Sequence, residues 1–190
     1  MYLIGITGYI GSGKTTVGHI IKNAGYIVFN MDVWCRNMYK DAEFLNTIKQ
    51  NFPSTFENDI FNKKKLRNLV FSNHTKLKKL EDLTHPYLKN KLLKIIHKER
   101  FNPYTFFVET ALLYQMNLEK FCQSVIITEA PYEVILNRTI IRDNIKPQDF
   151  NNIFEKQNIK ISQKLSCYKI NTNKSLSVLK SDVIKILERI

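Results

Sequence analysis

The stretch Gly8-Tyr9-Ile10-Gly11-Ser12-Gly13-Lys14-Thr15 constrains this chain more than any other part of it. It fits the pattern G-x-x-x-x-G-K-[ST] at every fixed position. Its surroundings fit as well. The apolar run Tyr2–Thr7 leads into it as a strand, and the amphipathic run Thr15–Asn23 leads out as a helix that ends near Gly25. Backbone N–H groups converge on phosphate oxygens only where side chains are absent, which accounts for Gly8, Gly11 and Gly13. The helix N-terminus near Gly13 adds partial positive charge. Lys14 is placed to reach the β- and γ-phosphates, and the Thr15 hydroxyl to meet Mg²⁺. Gly8, Tyr9, Ile10, Gly11, Ser12, Gly13, Lys14, Thr15 and Thr16 are therefore the expected nucleotide-binding residues. The motif specifies a nucleoside triphosphate and no particular reaction, since a GTPase, a motor ATPase and a translocase would carry the same loop.

The rest of the chain alternates short apolar runs with longer amphipathic ones, the pattern of a parallel sheet covered by helices. Tyr26–Asn30, Thr105–Glu109, Ser124–Thr128 and Cys167–Asn171 join the first run as strands, and Ser175–Arg189 closes the chain as a helix. Lys169 lies inside the last strand and is the one residue that argues against it. The expected fold is α/β: a five-stranded parallel sheet flanked by helices, of the P-loop nucleoside triphosphate hydrolase type. Its core takes in residues 1–31 and 103–190. Residues 32–102 form an insert longer than a strand connection needs. Its apolar residues fall at helical spacing (Leu66, Leu69, Val70; Leu77, Leu80, Leu83; Leu88, Leu92, Ile95, Ile96), so it is expected to be helical and to carry a substrate site.

With 190 residues and 44% hydrophobic content the chain suits one compact domain with a subdomain. No apolar run reaches the roughly 18 residues of a membrane span, and the N-terminus has the character of a strand rather than a signal peptide. Cys35, Cys122 and Cys167 lack metal-ligand spacing and suit reduced thiols in a cytoplasmic setting. The formal charge of +12, from 29 Lys and Arg against 17 Asp and Glu, favours anionic partners. Polyphosphate metabolites and nucleic acid both qualify as partners, and AT-biased coding, which enriches Lys, Asn and Ile, is an alternative source of the charge. Lys63-Lys64-Lys65 reads as a solvated face. No arginine-glycine tract, zinc spacing or aromatic platform points to nucleic acid.

Asp32 lies just past the second strand, at the carboxyl edge where ligands bind in open α/β sheets. A carboxylate there can take up or orient the proton of an acceptor hydroxyl, or merely cap the next helix. Glu109, ending a buried strand beside the loop, is placed to hold Mg²⁺ through water, or is structural.

Several further elements carry a family resemblance. Asn30-Met31-Asp32-Val33-Trp34-Cys35-Arg36 resembles the D-x-D-x-x-x-R element of dephospho-coenzyme A kinases. Leu80-Glu81-Asp82-Leu83-Thr84-His85-Pro86 resembles their L-E-x-I-x-H-P, and Phe107-Val108-Glu109-Thr110-Ala111-Leu112-Leu113 their V-x-D-x-P-L-L. Arg138-Thr139-Ile140-Ile141-Arg142 resembles R-x-x-x-R, Gln157 falls where a helix glutamine follows the lid, and Ile170-Asn171-Thr172-Asn173-Lys174-Ser175 is loosely similar to I-x-N-x-G-S. The resemblance implies a nucleotide-binding core, a helical acceptor-binding domain and a small lid at about residues 139–150. It implies that ATP, with Mg²⁺, phosphorylates the ribose 3′-hydroxyl of dephospho-coenzyme A. It also implies roles. Asp32 engages that hydroxyl, Arg36 and His85 serve the acceptor, Arg142 clamps the transferring group, and Arg138, one turn earlier, serves ATP.

Each of these has a plainer alternative. His85-Pro86 would start a helix, Arg36 would be a surface charge, and Arg142 would pair with Asp143 or Glu155. The sequence departs from the family at Asn30, Glu109, Ala111 and Gln115, where the pattern has aspartate, aspartate, proline and glutamate. Those departures keep open a non-catalytic ATP-binding module. Another P-loop nucleotide or metabolite kinase and a basic nucleic-acid-binding ATPase are the other readings.

Overall fold

The computed structural model describes residues 2–157 and 165–190. In chain order its elements are β1 (Tyr2–Gly8), α1 (Lys14–Asn23), β2 (Ile27–Asn30), α2 (Met31–Asn37), α3 (Ala42–Asn51), β3 (Phe56–Glu57), β4 (Ile60–Phe61), α4 (Lys63–Phe71) and α5 (His74–Glu99). There follow β5 (Thr105–Glu109), β6 (Ser124–Glu129), α6 (Tyr132–Asp143), α7 (Pro147–Lys156), β7 (Ser166–Asn171) and α8 (Leu176–Leu187). The five longer strands make one parallel sheet in the order β2-β5-β1-β6-β7.

The strand order explains the residue types. β1 is central, so both of its faces are covered, and Leu3 through Gly8 are buried without alternation. β5 and β6 flank it and are equally apolar. Ile4, Ile6, Val17, Ile21, Phe107, Ile126, Ile170 and Val183 pack into one core between sheet and helices. Edge strand β7 tolerates Lys169 because that side chain reaches solvent, where its ammonium lies 3.1 Å from Glu129. Tyr26 falls outside β2. Gly25, at φ 95°, turns the chain out of α1, and Tyr26 lays its ring edge-on to Phe107 at 5.4 Å.

The chain divides into two compact units, one comprising Met1–Met31 with Glu99–Ile190, the other Asp32–Lys98. The spacing of apolar residues predicts a helical second unit, but the unit also contains a short hairpin. Phe56↔Phe61 and Glu57↔Ile60 pair in an antiparallel hairpin. Its two-residue turn puts Asn58 at φ 46° and Asp59 at φ 65°, which Asn and Asp tolerate better than other side chains do. His85-Pro86 does not start a helix. Pro86 lies inside α5, where it removes one backbone donor. Buried Thr84, Leu88 and Leu92 flank it and hold the helix through the break in its ladder. Asp32 is the second residue of α2, in its first turn, and not its cap.

Phe107 is fully buried at the middle of β5, between β1 and β2. Phe107→Ala is expected to lower the unfolding free energy by about 3–5 kcal/mol in chemical denaturation, because the sheet cannot collapse into the space left.

Candidate active site

The loop between β1 and α1 closes through a turn, Ser12 N to Tyr9 O at 3.0 Å. Gly11 (φ 74°) and Gly13 (φ 89°) adopt left-handed backbone that side chains disfavour. A Cβ on Gly11 would collide with Thr139 Oγ1 and come within 2.7 Å of the Ile135 carbonyl oxygen on α6. Lys14 is 7% exposed, and its ammonium donates to the Gly8 and Tyr9 carbonyls at 3.1 and 3.0 Å. A buried ammonium needs such partners, and these two belong to the loop itself. The Ser12 and Thr128 hydroxyls are 2.6 Å apart, and Thr128 donates on to the Thr7 carbonyl.

At the end of β5, Glu109 is 2% exposed between β1 and β2. Its Oε1 accepts from the Thr15 hydroxyl at 2.6 Å and its Oε2 from the Asn30 amide at 2.8 Å. Two departures from the family pattern thus meet. An aspartate at position 30 would set a second carboxylate against Glu109, whereas Asn30 supplies a donor. Gly18 makes room for this arrangement, since a Cβ there would lie 2.7 Å from Glu109 Oε2. A hydroxyl with a carboxylate beside a phosphate loop is a hard-oxygen donor pair of the kind Mg²⁺ takes alongside water and phosphate oxygens.

Three contacts to the loop come from late in the chain. Gln157 Oε1 accepts from the Ile10 N–H at 2.7 Å. Phe154, three residues earlier on α7, stacks on Tyr9 with ring centroids 4.3 Å apart. Thr172, just past β7, donates its hydroxyl proton to the Ser12 carbonyl at 2.8 Å. Arg138 donates to the Thr172 hydroxyl and carbonyl, both at 3.0 Å, so this predicted ATP residue is tied to the strand end behind the loop. Arg142 forms a two-pronged pair with its neighbour Asp143 at 2.8 and 2.6 Å, the plainer of the arrangements open to it. Tyr9 and Phe154, with Pro131, Tyr132, Ile135 and Asn171, line a cavity of about 450 Å³. Thr16 faces a different hollow, between α1 and α8, with His19 and Lys180.

The sequence marks Thr172 only as part of Ile170–Ser175, loosely similar to I-x-N-x-G-S, and nothing there indicates its partners. Its partners are 34 and 160 residues away, and only the sheet brings them to it. Gln157 was visible only as a helix glutamine after the lid.

Asp32, Arg36 and His85 belong to the other unit. Asp32 and Arg36 are exposed and stand one turn apart on α2, hence on one face. Between them burial, then the Asp32 charge, pushes the Cys35 thiol up, while Lys63 and Arg36 pull it down. His85 is half-buried on α5. Burial lowers its pKa below 6.5, with Glu81 opposing, so the imidazole is neutral at pH 7.

The model of the dephospho-CoA kinase family matches residues 2–177. A dephospho-CoA kinase of Bartonella quintana is 31% identical over 100% of this chain and 98% of its own. One of Borreliella burgdorferi is 34% identical over 99% and 94%. The chain belongs to the dephospho-CoA kinase family. It is therefore an ATP-dependent kinase with dephospho-CoA as acceptor, which selects among the acceptors that the loop alone leaves open. The solved protein TT1252 from Thermus thermophilus has the same fold, with a TM-score of 0.78 at 25% identity over 100% of this chain and 97% of that one.

Gly11→Ala is expected to weaken ATP binding by at least about a hundredfold in calorimetry and to lower the midpoint of thermal unfolding, since the added Cβ would displace α6 at Ile135 and Thr139. The added methyl strains the loop where the amides must converge.

Proposed function

We propose that the loop Gly8–Thr15 grips the triphosphate of ATP, and that the unit Asp32–Lys98 presents the ribose 3′-hydroxyl of dephospho-CoA to its γ-phosphate. The observation that supports this most is the Thr15–Glu109 contact at 2.6 Å beside buried Lys14, which places a cation, a hydroxyl and a carboxylate at one strand edge. In the reaction the acceptor oxygen forms a new bond to the γ-phosphorus, the bond from that phosphorus to the β–γ bridging oxygen breaks, and ADP leaves. Asp32 takes up the acceptor's proton.

Lys14 exchanges the Gly8 and Tyr9 carbonyls for β- and γ-phosphate oxygens, a stronger charge-assisted interaction. Arg142 does likewise. Its pair with Asp143 is exposed and of little energetic weight, so the guanidinium can leave it for the transferring group. The lid containing Arg142, at about residues 139–150, runs from the last turns of α6 to the first of α7. Arg138 serves the nucleotide from the β7 side. Arg36 meets the acceptor's phosphates, and His85, neutral at pH 7, offers the acceptor a hydrogen bond and no charge. Thr15, with Glu109 through water, would hold Mg²⁺, which neutralises charge on the β- and γ-oxygens when bound.

A coupled ADP-release assay offering dephospho-CoA, AMP and shikimate in parallel tests the acceptor. Turnover of dephospho-CoA alone is expected, and turnover of only AMP or shikimate refutes it. Asp32→Asn should leave the ATP Kd within about twofold and lower kcat by at least about a hundredfold. Equal loss of both would contradict the proton-accepting role. Gly18→Ala should raise the Mg²⁺ concentration needed for half-maximal rate by displacing Glu109. An unchanged Mg²⁺ dependence would count against Glu109 as a metal-side residue.

A further inference from the structure

Thr172 is 4% exposed, and both of its main-chain groups are engaged: its N–H with the Glu129 carbonyl at 2.8 Å, its carbonyl with Arg138 at 3.0 Å. Its hydroxyl accepts from Arg138 Nη1 and has one proton to give. Two carbonyls are within reach, Ser12 at 2.8 Å and Glu129 at 3.3 Å, and the nearer belongs to the phosphate loop. The side chain also lies flush against Gly13, where an added Cβ would meet its Cβ, Cγ2 and Oγ1 at 3.0 Å.

The Ser12 carbonyl shares a planar trans peptide with the Gly13 N–H. In such a unit C=O and N–H point in opposite directions. Anchoring the carbonyl to Thr172 therefore aims the Gly13 N–H away from Thr172, on the side where the loop must offer donors. Arg138 completes the anchor. It donates to both the hydroxyl and the carbonyl of Thr172, which holds the side chain in place and leaves the hydroxyl proton for Ser12, the nearer carbonyl. Gly13 has no side chain to hold its own peptide plane and sits at φ 89°, so the plane needs an outside hold.

We propose that Thr172 is a positioning residue for ATP: its hydroxyl sets the Ser12–Gly13 peptide so that the Gly13 amide is aimed at phosphate before the nucleotide arrives. This rests on the phosphate-loop part of the function above and not on the identity of the acceptor. The linkage also gives Arg138 a definite task, that of orienting Thr172, in addition to any direct contact with ATP.

The test is ATP binding by calorimetry with steady-state kinetics, on the full chain, for Thr172→Val, Thr172→Ala and Thr172→Ser. Valine keeps the shape and loses the hydroxyl. It is expected to weaken ATP about tenfold, the factor that corresponds to about 1.4 kcal/mol, and to raise the KM for ATP alike. The KM for dephospho-CoA should stay within about twofold. Alanine should behave like valine. Serine keeps the hydroxyl and loses only the methyl, and should bind ATP within about twofold of the parent. Unchanged ATP affinity in the valine variant, equal weakening in the serine variant, or an equal rise in the acceptor KM would overturn the proposal. So would failure of both valine and alanine variants to fold, since the hydroxyl would then be part of the fold and not of nucleotide positioning. ATP affinity is read without any acceptor, so a wrong acceptor assignment would leave this measurement intact.

Discussion

Three of the seven residues of Gly8–Lys14 are glycine, with no side chain to hold their own peptide planes, and the segment takes much of its shape from neighbours distant in sequence. Thr128 meets the Ser12 hydroxyl, Thr172 the Ser12 carbonyl, and Gln157 the Ile10 amide. Thr139 and the Ile135 carbonyl wall off Gly11, and Thr172 walls off Gly13. The same glycines that let a backbone approach phosphate leave it entropically loose when unbound. Contacts from β6, α6, α7 and β7 confine it beforehand, so less ordering is left to oppose binding.

The sheet order makes this possible. β1 lies between β5 and β6, so the loop leaving its end is flanked by the ends of both. One flank supplies Glu109 and, from the next strand, Asn30; the other supplies Thr128 and, from the next strand, Thr172. The Thr15–Glu109–Asn30 contacts and the contacts that hold Ser12 thus fall on opposite sides of a single strand end. The departures at positions 30 and 109 are coherent within this arrangement. The longer Glu109 reaches Thr15, and Asn30 provides a donor where a second acid would repel.

Much of the fold was legible because buried parallel strands read as unbroken apolar runs. Thr105–Glu109 matches its strand residue for residue, and the other four strands differ by one residue at one end each. The β3–β4 hairpin was not legible. Two residues per strand are too few for a period, and the turn depends on Asn58 and Asp59 rather than on glycine. The plainer alternative for His85-Pro86, a helix start, fails for a related reason. Proline is favoured at a helix start, yet α5 continues past it with Thr84, Leu88 and Leu92 buried around it.

By itself the sequence determined the phosphate loop, because its chemistry is local: glycines, a lysine and a threonine at set spacing between a strand and a helix. It also determined the class of fold and, through ordered short elements, the family. What Glu109, Arg138, Gln157 and Thr172 touch was decided only by tertiary structure. A hydrogen bond between residues 12 and 172 leaves no periodic trace in either segment, since both groups are common polar atoms whose meeting depends on the register of β6 against β1 and β7.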